Sequence, residues 1–149
     1  MIATDIRDGV IADWTAAGTA YFGTDWPFVP VPKWFETINQ ADGPLRVAIL
    51  VDGQRTERIA RKHLQTDTDL IVHCTAKLPV IGAEVVDTDG LTTVLQKMER
   101  YYYSQALRIS GVPATQMSGQ IQLPSRKQLK DGGRWYAWGR LTFRVIEKL

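Results

Sequence analysis

The chain has 149 residues, 44% of them apolar and 23% charged, which is enough for one buried core and excludes wholesale disorder. Its formal net charge is only +2, with Lys and Arg interleaved among Asp and Glu. That balance argues against nucleic acid as the main partner, because phosphate binding needs a concentrated basic face. The single cysteine, Cys74, excludes an internal disulfide and a thiolate metal cluster within one chain.

No apolar run is long enough to cross a bilayer, and the opening segment, with Asp5, Arg7 and Asp8, has no signal-peptide core. The protein is therefore expected to be made and used in a reducing cytosol, away from membranes. In chain order, residues 3–17 read as a helix, because Ile6, Val10, Trp14 and Ala17 recur at helical spacing and Gly18 offers a stop. Residues 23–32 carry Pro27, Pro30 and Pro32, which forbid a helix and a central strand, so an extended arm or edge segment is expected. Trp26, Phe28, Trp34 and Phe35 make this arm strongly aromatic.

A strand is predicted over residues 45–51, between the turn signals Gly43-Pro44 and Asp52-Gly53. A second is predicted over residues 69–78, with Leu70, Val72 and Cys74 on one face and Asp69, His73 and Thr75 on the other. The Arg- and Glu-rich residues 54–65 between them read as a strand extension followed by an exposed loop. Asp87, Thr88 and Asp89 cap a helix lined by Leu91, Val94, Leu95, Met98 and Tyr102 and running to about Leu107, where Ser110-Gly111-Val112-Pro113 ends it. Gln120 to Leu123 reads as a short strand and Lys130-Asp131-Gly132-Gly133 as a turn. A long strand over residues 134–147 closes the pattern, with Trp135, Ala137, Leu141, Phe143 and Val145 alternating with Tyr136, Trp138, Arg140, Thr142 and Arg144.

These elements predict one domain over residues 1–149, with a helix and aromatic arm in residues 1–44 and a sheet-and-helix core in residues 45–149. The expected class is α+β: a mostly antiparallel or mixed sheet of about four strands, one long helix packed on it, and an N-terminal helix.

The residues for catalysis are not brought together by this pattern. His73 and Cys74 are neighbours on a strand and so face opposite ways. His63 with Asp67 and Asp69 matches no common metal-ligand spacing, and the glycines are too dispersed for a phosphate-binding loop. The expectation is a non-enzyme without a cofactor or metal. Arg55, Arg58, Arg61 and Lys62 form a charged cluster, with Glu57 as local counter-charge. It is either a solvated face or a surface for nucleic acid or an acidic partner. Tyr101, Tyr102 and Tyr103 must point in different directions, so one is expected in the core and another at the surface. Exposed aromatics of that kind, with Trp26, Trp34 and Trp138, suit protein–protein contacts, the alternative being that all of them are core.

The order of these features resembles the tail terminator proteins of long-tailed bacteriophages, also called tail-completion or head–tail joining proteins. The resemblance is carried by the leading helix, the Pro-containing arm, the segment Gln54-Arg55-Thr56-Glu57-Arg58-Ile59-Ala60-Arg61 and the strand Asp67-Thr68-Asp69-Leu70-Ile71-Val72-His73-Cys74-Thr75-Ala76-Lys77. A single amphipathic helix and a long closing strand complete it. The aromatic arm and the polar residues 115–130 depart from the family pattern.

The resemblance implies a virion protein assembled in the host cytoplasm. It would form a ring, a hexamer, that caps the tail tube, ends its polymerisation and joins the head-side connector or stopper. Genomic DNA would pass through the channel without specific binding. Arg55, Glu57, Arg58, Arg61 and Lys62 would then dock a neighbour or the tube. The aromatic residues Trp26, Phe28, Trp34, Phe35 and Trp138 would serve as further interface candidates. Another neck ring, such as a stopper or adaptor, and a small ligand- or peptide-binding domain remain open as alternatives.

Overall fold

Ile6, Val10 and Trp14 recur every four residues, so they fall on one side of a helix, and all three are fully buried. In the computed structural model, which describes residues 3–22, 29–32, 46–77, 80–81, 85–86, 89–122 and 134–149, that helix is α1 (Ala3–Phe22). Gly18 does not end it. Gly18 adopts φ 54° and ψ −156°, which kinks the helix, a conformation that suits a residue without a Cβ. The turn beyond the kink brings Phe22 edge-on to Trp14, with ring centroids 5.9 Å apart.

The strands are β1 (Val29–Val31), β2 (Arg46–Ala60), β3 (His63–Lys77), β6 (Leu107–Ile109), β7 (Val112–Ile121) and β8 (Arg134–Lys148), with a separate two-residue pair, β4 (Val80–Ile81) and β5 (Val85–Val86). The main sheet has the order β1-β2-β3-β8-β7-β6. Its neighbours pair antiparallel, save the short edge strand β1, which runs parallel to β2. β3 and β8 pair along their whole length, from His63 opposite Lys148 to Lys77 opposite Arg134.

One face of this sheet is apolar. Val47 and Ile49 of β2, Leu70, Val72 and Cys74 of β3, and Leu141, Phe143 and Val145 of β8 join α1 and α2 (Asp89–Arg100) in a single buried cluster. From α2, Val94, Leu95 and Met98 enter that cluster, followed one turn later by Tyr102, which meets Phe143 at 5.3 Å between centroids. Both helices therefore lie on the same side of the sheet, and period-two alternation turns the other residues of β2, β3 and β8 to the opposite side. No helix among the described residues is long and apolar enough to cross a membrane.

The expected layout, about four strands with one long helix packed on them and an N-terminal helix, is incorrect. The structure is mostly a sheet in which five strands pair antiparallel, and the helix expected to be long has only 12 residues, fewer than the kinked 20-residue α1. The helix predicted to reach about residue 107 stops at Arg100. Tyr103 N–H closes a tight turn on the Arg100 carbonyl at 3.1 Å, and Leu107 then starts a strand. Ser110-Gly111, read as a helix stop, is a two-residue hairpin turn between Ile109 and Val112. Both residues have positive φ, 51° and 82°, the conformation that matches the twist of a tight hairpin. Residues 115–121 of the polar stretch belong to β7, where Ala114 and Gln116 are buried and Thr115 between them is exposed. Of the predicted turn at Lys130-Asp131-Gly132-Gly133, every residue lies outside the described residues.

At Gly139, opposite Ile121, β7 leaves no room for a side chain on β8. A Cβ there would lie 2.1 Å from the Gln120 carbonyl oxygen and 2.9 Å from Ile121 Cα, both fixed backbone atoms. Gly139→Ala is expected to cost about 1–3 kcal/mol through forced strand separation, read as a lowered thermal midpoint by circular dichroism. Gly53→Ala, where a Cβ meets nothing within 4 Å, should stay within about 0.5 kcal/mol of wild type.

Candidate functional site

β2 and β3, of fifteen residues each, form a hairpin whose far end outruns its supports. β1 accompanies β2 only from Arg46 to Ala48, and β7 accompanies β8 only from Gly139 to Arg144. Beyond those points three strands continue to the turn at Arg61-Lys62. Residues 54–65 are thus ladder rather than the exposed loop the sequence suggests. Register runs from Gln54 opposite Thr68 to Ala60 opposite His63, with irregularities at Val51/Gly53 and Arg58/Ala60. The Leu149 N–H donates to the Lys62 carbonyl at 2.7 Å, which ties the end of β8 to the turn.

At the root of this projecting end, where β7 still flanks β8, the helix-free face is a network of charge pairs between strands. Asp69 accepts from Arg55 of β2 and from Thr142 of β8, each at 2.7 Å. Asp67 accepts two hydrogen bonds from Arg144, 2.9 Å from Nε and 3.1 Å from Nη2, in the forked geometry that suits a guanidinium and a carboxylate. Arg140 donates to Asp52 at 2.8 Å. On the helix-side face, Gln54 reaches Thr68 and Thr56 reaches Thr66, each at 3.3 Å. One strand therefore bears two acids at i and i+2, and both flanking strands answer them with cations or a hydroxyl.

The titration behaviour follows from these contacts. Hydrogen bonds from Arg144 hold Asp67 below its ordinary value of 3.8. For Asp69 burial pushes upward, and the hydrogen bonds from Arg55 and Thr142 outweigh it, so Asp69 also titrates below 3.8. Away from the network, burial lowers His73 and pushes the Cys74 thiol up to about 12. Cys74 joins the core cluster while His73, one residue earlier, faces the other side of β3, so the two do not share a site.

The predicted charged cluster is divided by the fold. Arg55 is engaged with Asp69. Glu57 is exposed on the same face, where its charge acts on Arg144. Arg58 sits opposite Leu64, which alternation places on the helix side, and Arg61 and Lys62 form the turn. Trp138 is 51% exposed on the helix-free face, in register with buried His73. Trp26, Phe28, Trp34 and Phe35 lie outside the described residues. Of the three tyrosines, Tyr102 is buried and donates to Asp13 at 2.8 Å, and Tyr103 is exposed.

Sequence reasoning missed Asp52, Asp67, Asp69, Arg140, Thr142 and Arg144 as one unit. The signal was present as Asp-x-Asp in one strand and Arg-x-Thr-x-Arg in another, but only their register makes it a network. A comparison with protein families and with curated proteins returns no match.

Because both carboxylates titrate low in the folded protein, their contribution to stability is complete above the ordinary carboxylate value and is lost as pH falls below about 4. Urea midpoints measured from pH 7 to pH 3 should fall steeply for the wild type at the acid end. Asp67→Asn should start lower at pH 7 and show a shallower acid slope.

Proposed function

We propose that this chain is a structural subunit of a phage neck. In this reading copies of it form a ring that caps the tail tube, ends tube polymerisation and provides the joint to the head-side connector, with genomic DNA passing through the channel. No reaction and no cofactor are part of the reading. The ring would assemble in the host cytoplasm and remain in the virion.

The supporting observation is the projecting end of the β2–β3–β8 sheet, a stiff and charged extension on a subunit whose core is buried elsewhere. A closed ring needs a heterologous interface, in which one patch of each subunit meets a different patch of the next. An element that leaves the body of the subunit supplies one such patch without exposing the core. The likeness in element order adds support, in a reduced form. The arginine-rich hairpin, the amphipathic helix and the closing strand remain, whereas the β6–β7 hairpin between helix and closing strand was not anticipated.

Light scattering after size exclusion, over a concentration series and with tail tubes added, tests the reading. The expected result is a mass of about six subunits, free or on the tube, set by closure of a heterologous contact. A monomer that ignores tubes at every concentration would contradict it and favour a ligand-binding domain. Arg58 is exposed and outside the core, so Arg58→Glu should impair ring formation while leaving the circular dichroism spectrum unchanged.

A further inference from the structure

The charge on the projecting end is unevenly compensated. Each arginine along its shaft has a carboxylate: Arg55 has Asp69, Arg140 has Asp52 and Arg144 has Asp67. At the tip the pattern stops. Arg58, Arg61, Lys62 and Lys148 are exposed there, outnumbering the carboxylates of exposed Glu57 and half-buried Glu147, and none of the four cations makes an ion pair among the described residues. Two β-branched side chains are exposed beside them, Ile59 at 47% and Ile146 at 52%.

We propose that this tip is a docking element for an acidic protein surface that also offers apolar side chains. The inference deepens the neck-ring reading, and rests on it only for the expectation that the partner is another virion protein.

Two simpler accounts explain less. A solvated face accounts for a mixture of charges, but not for an excess of cations beside two exposed isoleucines. A cation that guards a sheet edge against unwanted pairing accounts for Arg58, which lies on β2 beyond its three-residue pairing with β1. It does not account for Arg61 and Lys62, which lie in the turn. Among anionic partners, a nucleic-acid backbone would satisfy the cations and leave the isoleucines in water. A protein surface can satisfy both, because interface cores are apolar while their charged groups sit at the rim.

The shaft has a part in this. Docking through a projecting hairpin loses affinity if the hairpin must be ordered on contact. Here the order is supplied beforehand by Asp67 and Asp69, which tie β3 to both neighbours, and by the contact of Leu149 with the turn. The paired charges fix the shape and the unpaired ones are left for the partner.

The test uses the full-length chain at a concentration below any self-association and without tubes, so that failure of the ring reading and failure of this inference are separate results. Three fluorescent probes are titrated by anisotropy at several salt concentrations: a short Asp/Ser peptide, the same peptide with leucines replacing some serines, and a random-sequence DNA duplex. The leucine-containing acidic peptide should bind tightest, with affinity falling as salt rises. Arg61→Glu combined with Lys62→Glu should weaken it about tenfold or more, and Ile59→Ser should remove the advantage of the leucines. The neutral pair Arg61→Gln with Lys62→Gln gives the same direction of change if the charge reversal disturbs folding. Tightest binding to DNA would overturn the proposal in favour of a phosphate-binding surface. Peptide binding that is absent, or indifferent to the tip substitutions, would overturn it outright.

Discussion

Two aspartates on one strand hold this sheet in register at the root of its projecting end. Asp67 and Asp69 lie two residues apart on β3, the strand between β2 and β8, so both face the same way. Asp67 is gripped by Arg144 of β8, and Asp69 by Arg55 of β2 and Thr142 of β8. A one-residue slip of either neighbour would turn its arginine to the wrong face and leave a partly buried carboxylate without its partner. These contacts select the same register as the apolar packing of Leu70, Leu141, Phe143 and Val145 on the opposite face, and beyond Val145 the core cluster contributes no residue of β8. Hydroxyl and amide contacts between β2 and β3, Gln54 with Thr68 and Thr56 with Thr66, serve the same purpose on the other face.

The other half of the molecule is organised by apolar burial. α1 and α2 lie on one face of the sheet, and the aromatic group of Trp14, Phe22, Tyr101, Tyr102 and Phe143 joins helices to sheet through ring contacts of 4.8–6.5 Å. The kink at Gly18 directs the last turn of α1 into this group. There Lys97 donates to the Tyr21 carbonyl at 2.7 Å and lies over the Tyr21 ring. The subunit is thus a helix-backed base with a polar, charge-paired extension. Burial cements the base, and the extension stays ordered while remaining exposed, a combination suited to contact with another protein.

The sequence was most legible where a periodic apolar face meets the core. Ile6, Val10 and Trp14, then Val94, Leu95 and Met98, then Leu141, Phe143 and Val145, lie where their spacing places them. The misreadings share a physical cause, which is that pairing partners distant in sequence overrode local appearance. Residues 54–60 carry few apolar side chains, yet form strand because β3 supplies hydrogen-bond partners and counter-charges. Residues 112–121 are polar with Pro113 and Gly119, yet form strand because β8 and β6 lie on either side. The helix after Asp89 ends early because the residues from Leu107 onward are needed as an edge strand. At the candidate site the charged cluster was visible as composition. Its division into Arg55, which is paired with Asp69, and the unpaired cations of the tip depends on register, which no local pattern carries.

The claim that most of this rests on is that the far half of the hairpin is ordered in the isolated subunit. Native-state hydrogen exchange, resolved by residue along β3, tests it directly. Because β3 is paired on both sides along its length, the account predicts that amides from His63 to Asp69 are protected, within about tenfold of those from Leu70 to Cys74. Exchange at the rate of an open loop between His63 and Asp69, with protection beginning only at Leu70, would contradict it.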